Sequence, residues 1–180
     1  KLNAITTRLG VLVLAGPQAR KVLQKLTTAD LSNEAFPWLS GQAIPVGHAS
    51  CHVLRVNFVG ELGYEFHHPV EQQVALFDLL MEAGREFGIR PYGIKAMSAL
   101  SIEKSYRLVP RELSIEYSAY ESGLDRFVHP NKGQFIGRDA LVAGREKGLA
   151  WNFVTMEVDG ITAKHSDTRG SEPIYAKGRM

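Results

Sequence analysis

The sequence predicts an α+β fold, and three observations carry that prediction. A short apolar run, Val11–Ala15, stands between Gly10 and Gly16. Two stretches with a period of two, Cys51–Phe58 and Tyr64–His67, flank a glycine-bracketed turn. Pro69 then opens a stretch with the period of an amphipathic helix. Short apolar runs between turn residues read as buried strands, alternation reads as a half-buried strand, and a stripe at i, i+3, i+4 reads as a helix.

Taken in order, Val11–Ala15 is a buried strand. Gly16-Pro17 opens a helix, where proline suits the first turn because its missing N–H would have had no partner there. Ala19, Val22, Leu23 and Leu26 follow at helical spacing, with Arg20, Lys21 and Lys25 outside. Residues 28–50 hold Asp30, Asn33, Pro37, Gly41, Pro45 and Gly47 and read as mostly irregular. In the strand Cys51–Phe58, Leu54, Val56 and Phe58 share one face and Val53, Arg55 and Asn57 the other. Val59–Gly63 turns, and Tyr64–His67 returns as the second strand of a hairpin. The helix after Pro69 carries a predicted stripe of Val74, Phe77, Leu80 and Met81, with Gly84 or Gly88 to end it. A further helix is predicted from Tyr92 to Lys104, with Ile94, Met97 and Leu100 or Ser101 along one face. Strand, helix, hairpin, helix is most of a ferredoxin-like split βαβ.

Beyond Arg107 a polar loop runs to Gly123, followed by a short apolar stretch at Phe127-Val128. Trp151–Val158 alternates and is predicted to be a strand. The tail, Asp159–Met180, has turn residues throughout and no helical period. It stops where a hairpin through Tyr175 would be turning, which suggests a cut through a β-domain. The absence of an initiator Met suggests in turn that the natural chain begins upstream.

Composition narrows the function. Hydrophobic residues make up 44% and charged residues 22%, as in ordinary globular proteins. A formal charge of +2 with scattered basic residues argues against nucleic acid or a membrane as partner. It is compatible with an anionic small ligand, because a pocket's charge is local. Cys51 is the single cysteine, so no intrachain disulfide forms and a reducing compartment is expected. No apolar run approaches transmembrane length, and the start has no signal-peptide core.

The stretch Phe58-Val-Gly-Glu-Leu-Gly-Tyr-Glu65 is the sharpest candidate site. Glycines on either side of Glu61 allow a tight turn and let a flat ligand approach. A carboxylate accepts two parallel N–H bonds from an amidine-like edge, as it does from arginine. Glu61 and Glu65 are therefore candidates to hold such an edge, the alternative being solvated carboxylates or a pair with Arg55. His67 and His68 are neighbours on a strand, point to opposite faces and cannot chelate one metal. Cys51 reads as an inert buried thiol. Trp38 and Trp151 read as core or interface residues. Tyr106, Arg107 and Arg111 form a polar group that either greets an anionic ligand tail or solvates a loop.

Six blocks in order resemble the glycine-cleavage T-protein, or aminomethyltransferase, family. They are Gly16-Pro-Gln-Ala-Arg-Lys-Val-Leu23, Val59-Gly-Glu-Leu-Gly-Tyr-Glu65, Gly93–Lys104, Tyr120-Glu-Ser-Gly-Leu124, Lys132–Leu141 and Gly170-Ser-Glu-Pro-Ile-Tyr175. The resemblance implies the family's folate-binding fold over residues 1–148, with the N-terminal part missing. It also implies the start of a C-terminal β-barrel or jelly-roll-like domain at 149–180. By the same resemblance, tetrahydrofolate is the cofactor, Glu65 contacts the pterin, and Phe58 packs near its ring where the family often has Tyr. Glu61 and Tyr64 complete the implied folate-binding set. The family's catalytic Asp would lie upstream of residue 1, so no catalytic residue is implied here and the fragment alone is expected to be inactive.

Two arginines of the T-proteins are absent: Ala96-Met97-Ser98 replaces an Ala-Arg-Asp triplet, and Ser101 stands where an Arg is usual. Met97 is similar to the dimethylglycine and sarcosine dehydrogenase branch. That branch implies an upstream oxidoreductase domain with FAD, a methylated amine as the small-molecule donor, and a folate module that captures the released carbon by holding reactants in register. Its setting would be cytoplasmic, or the mitochondrial matrix in a eukaryote. Stand-alone aminomethyltransferases and folate-dependent demethylases fit the same blocks. Non-catalytic folate binders of this fold carry Lys-Gly-Cys where this chain has Lys132-Gly133-Gln134, and a plain interaction module leaves the glutamates unexplained.

Overall fold

The computed structural model describes residues 2–109 and 111–157. The chain divides into two compact units between Ser118 and Ala119. The first holds a four-stranded antiparallel sheet in the order β1-β4-β3-β2, formed by β1 (Leu9–Ala15), β2 (Gly41–Val46), β3 (Ala49–Leu54) and β4 (Gly63–Pro69). Helix α1 (Ala19–Gln24) follows β1, α2 (Gln73–Gly84) follows β4, and α3 (Ile94–Glu103) comes last. Because β1 and β3 both run antiparallel to the β4 between them, they are parallel to each other. With α1 as the connection, this is the split βαβ that the sequence predicts.

β2 is the addition. Residues 28–50 read as irregular because Gly41 and Pro45 fall within the strand. β2 lies at the sheet's edge, where a proline's missing N–H can face away from the ladder. Ile44 and Val46 are buried against Cys51 and Ala49 of β3, so alternation was present behind the proline.

Alternation sorts the strands cleanly. Leu14, Tyr64, Phe66, Val53, Cys51, Ile44 and Val46 point to one face and form a single buried cluster with Ala19, Val22 and Leu23 of α1 and Leu76, Leu80 and Ala83 of α2. Burying side chains of this size stabilises by roughly 1.5–3 kcal/mol each, before chain entropy is subtracted. The buried stripe of α2 is Leu76, Leu80, Ala83 and Gly84, which shares only Leu80 with the one expected. Val74 is 73% exposed and Phe77 40%. Val74 and Phe77 also lie three apart, so periodicity alone could not fix the phase of the stripe. Gly84 is the last residue of α2, where a Cβ would lie 2.6 Å from Ile89 Cβ, and Gly88 completes the turn that follows at φ 70°.

β3 stops at Leu54, four residues earlier than expected, and 55–62 form a bent connection. Asn57 Oδ1 accepts from the N–H groups of Val59 and Glu61, at 3.1 Å each, which curls the chain. A Cβ on Gly63 would lie 2.6 Å from Asn57 Cβ and 2.9 Å from Val56 O, so the curl closes only over a glycine. In α3 the expected apolar face is not a core face: Ser101 is its buried residue, whereas Ile94 is exposed.

The second unit contains α4 (Arg138–Lys147), which the sequence reading did not foresee. None of its residues is buried, and its apolar residues run together at Ala140–Ala143. Its ends were legible instead: Gly137 and Gly148 bracket it, with Asp139 in its first turn and Arg145 and Lys147 in its last. Tyr120 is buried, with the Arg145 guanidinium 5.0 Å above its ring. Trp151–Glu157, expected as a strand, has no regular secondary structure, and Trp151 is 64% exposed. Alternation makes a strand only where a partner offers a ladder; here the Phe153 N–H donates to Glu121 O, outside any strand. The expected β-domain beyond residue 157 lies outside the described residues.

Candidate functional site

The two faces of β4 separate the expected site residues. Tyr64 is fully buried on the core face, its ring 5.8 Å from that of Phe36 and its hydroxyl 3.4 Å from Arg20 Nε. Glu65, one residue on, points to the opposite face. There it lies between Val13 of β1 and Leu54 of β3, its cross-strand neighbours. His67 Nε2 lies 2.6 Å from Glu65 Oε1. An ionised carboxylate only accepts, so Nε2 carries the proton of this bond. His67 in turn lies between Val11 and the exposed His52.

Glu61 sits on the bent connection and pairs with Lys104 Nζ at 3.1 Å. Both are partly exposed, so the pair is worth little energetically. Gly60 beside it takes φ 71°, and a Cβ there would overlap the Lys104 side chain at 2.5 Å. Neither glutamate takes Arg55, whose guanidinium donates to Phe36 O at 2.6 Å and Asn33 Oδ1 at 2.8 Å.

Phe58 is 46% exposed and lines a cleft of about 560 Å³ along the outer edge of β1. Val11 and Val13 form one wall, Phe77 and Met81 of α2 another, and Tyr92, Ile94 and Met97 a third. Ser101 Oγ reaches both the Phe58 carbonyl and, at 2.8 Å, that of Met97, its single proton serving one at a time. This ties Ser101 of α3 to the backbone of Phe58. Desolvation raises the Tyr92 phenol above its ordinary range, which keeps it a neutral donor in the cleft wall.

The structure thus brings Phe58 and Met97 to one cleft and sets Glu65 beside its Val13 wall, while Tyr64 belongs to the core and Glu61 to the surface. His67, which sequence reasoning set aside, is the side chain that contacts Glu65. Its i, i+2 spacing from Glu65 on an alternating strand was the signal. His68 is fully buried on the core side, with Nδ1 3.1 Å from Phe66 O. Cys51 is buried as expected, and burial pushes its thiol up to about 11. Trp38, at 54% exposure, is not a core residue. Arg111 is exposed, while Arg107 NH1 donates to Ser105 O at 3.3 Å. Among the described residues no group of three or more His, Cys, Asp or Glu is placed to hold a metal ion, and no helix is long and apolar enough to cross a membrane.

Human mitochondrial dimethylglycine dehydrogenase is 41% identical over 183 residues, covering 100% of this chain and 21% of that protein. Mouse mitochondrial sarcosine dehydrogenase is 37% identical over 174 residues, 96% of this chain and 18% of that one. An aminomethyltransferase of Caldanaerobacter subterraneus subsp. tengcongensis is 34% identical over 160 residues, 89% and 42% of the two chains. The chain therefore spans about a fifth of the length of the dehydrogenases and under half that of the aminomethyltransferase. Residues 1–132 match the GCVT N-terminal domain, and the chain belongs to that family.

Proposed function

We propose that this chain is the folate-holding module of a one-carbon transfer enzyme, of the kind fused to an N-methyl amine dehydrogenase. The observation that carries the reading is Glu65, a carboxylate fixed between two aliphatic side chains beside an apolar, aromatic-lined cleft. A carboxylate with apolar flanks is a stronger acceptor for N–H donors than one in open water. The residues fit a folate: Glu65 would take the amidine edge of the pterin, and Phe58 would offer a ring face to it. Glu61 would assist from the rim, and Tyr64 would support the site from beneath by fixing β4 in the core. Tetrahydrofolate, when bound, supplies the amine nitrogens that accept a one-carbon unit. The chain's own part is to orient it and to keep its ring edge out of water.

The higher identity to dimethylglycine dehydrogenase than to the aminomethyltransferase, together with Met97 in the cleft wall, supports the dehydrogenase branch. In that reading a methylated amine is the donor, and an upstream oxidoreductase domain would carry FAD. The setting is the cytoplasm, or the mitochondrial matrix in a eukaryote; the human and mouse dehydrogenases are named as mitochondrial. The end of α4 at Lys147 and the positive φ of Gly148 support a boundary between the folate-binding region, 1–148, and a following β-domain.

Calorimetric titration of the full-length protein with 5-formyltetrahydrofolate tests the reading. Glu65→Gln should weaken binding by about 1.5–3 kcal/mol, the range for a hydrogen bond to a charged group, or roughly ten- to two-hundred-fold. Glu61→Gln should cost under about 1 kcal/mol. Equal affinity of wild type and Glu65→Gln, with unfolding midpoints matched, would remove Glu65 from the site.

A further inference from the structure

We infer that His67 is a positioning residue: its Nε2–H fixes the carboxylate plane of Glu65 so that the remaining acceptor sites are presented to the ligand. The inference rests on the reading of Glu65 as the group that holds the pterin edge. Its own observations are separate from that reading. The 2.6 Å contact between His67 Nε2 and Glu65 Oε1 joins two side chains on one face of one strand. Every other cross-strand neighbour of Glu65 is aliphatic, Val13 on one side and Leu54 on the other. The imidazole is therefore the hydrogen-bond partner that sets the rotamer of this carboxylate among the described residues.

The stoichiometry of acceptors allows both partners. A carboxylate has about four lone-pair directions on its two oxygens, and the imidazole uses one at Oε1. Oε2 keeps both of its own, and Oε1 keeps one, which leaves room for two parallel N–H bonds from an amidine edge. A free glutamate has three side-chain torsions to freeze on binding, whereas one already tied to a ring of restricted rotation has fewer. His67 is itself held, between Val11 on β1 and His52 on β3, and its side chain is 30% exposed against 17% for Glu65. The imidazole thus forms the outer rim, and the carboxylate it holds is the more sheltered of the two. The groups facing His67 are Val11 and His52 across the strands and Glu65 two residues back on its own strand, and among the described residues no lysine or arginine is bonded to Glu65 in its place.

The test is titration of the full-length protein with 5-formyltetrahydrofolate for wild type, His67→Ala, His67→Gln, Glu65→Ala and the double variant Glu65→Ala/His67→Ala. His67→Ala should weaken binding about five- to ten-fold, the size of one net hydrogen bond. His67→Gln, whose amide N–H sits near the place of imidazole Nε2, should recover most of the loss. In the Glu65→Ala background, removing His67 should change nothing further, because its effect runs through the carboxylate. His67→Val, which suits a strand and has no donor, repeats the experiment if the alanine variant folds poorly. Loss of affinity in Glu65→Ala with none in His67→Ala or His67→Val would overturn the inference and leave the Glu65 reading intact. Failure of His67→Gln to recover, or a full second loss in the double variant, would also overturn it, since His67 would then act independently of Glu65. No loss in Glu65→Ala would instead overturn the reading on which the inference stands.

Discussion

The two faces of the β1-β4-β3-β2 sheet are made by the same residues in alternation and have opposite characters. On one face Leu14, Tyr64, Phe66 and Val53 are all at least 93% buried beneath α1 and α2. On the other, Leu9, Val11 and Val13 are about 40% exposed, and the polar groups Glu65, His67 and His52 stand among them. His67 and His68 show the contrast within two residues. One is a buried core imidazole bonded to a backbone carbonyl, and the other is bonded to a carboxylate in the candidate site. The first face holds the buried core, and the second carries the polar groups of the candidate site.

Substitutions can break that division or sharpen it. The largest effect should come from Phe66→Ala, which empties a fully buried site at the centre of the sheet and should cost about 3–5 kcal/mol in chemical denaturation. Leu76→Ala should cost about 2–5 kcal/mol, while Val74→Ala two residues away should stay within about 0.5 kcal/mol. A larger cost for Val74→Ala than for Leu76→Ala would show that the stripe expected from periodicity, not the observed one, faces the core. Gly63→Ala should cost about 1–3 kcal/mol, because the added carbon overlaps Asn57 and the Val56 carbonyl. A thermal melt is enough to read it. Val11→Thr, on the open face, should change stability by no more than about 0.5 kcal/mol.

Cys51 adds a pH arm to the core side. Its thiol is ordinary in the unfolded chain, at 9.0, and raised to about 11 when folded. The unfolded chain therefore releases this proton first as pH rises. The stabilising contribution is complete below pH 9.0 and declines as pH climbs toward 11. Cys51→Ala should flatten that part of the stability profile. In the native protein a thiol reagent at pH 8 should react with Cys51 only as fast as the core opens.

Much of this was legible in the sequence because alternation and glycine placement are strong local signals. β1, α1, β4 and the buried partners of β3 follow from them directly. β2 was hidden by Pro45, which is tolerated only because the strand lies at an edge, and being an edge is a property of the whole sheet. α4 was hidden because its apolar residues run together at Ala140–Ala143, although its glycine brackets were in plain view. Glu65 and Phe58 were picked out as candidates by spacing and resemblance. Tyr64, implied by the same resemblance, lies on the core face, because consecutive strand residues point apart and an aromatic next to Glu65 in sequence lies beneath it in space. His67 was set aside as half of a histidine pair, though its true partner was two residues back.

The glycines of Gly60-Glu-Leu-Gly63 have a consequence for how such a motif should be read. Each is demanded by the chain's own path: Gly60 by a positive φ and the Lys104 stem, Gly63 by the backbone of residues 56 and 57. In a saturation library selected only for folding, with no folate present, both positions should therefore retain glycine. Position 65 should drift freely in the same library and become fixed only when ligand binding is also selected. On that outcome the glycines would report that the hairpin is closed, and the glutamate would report the proposed ligand.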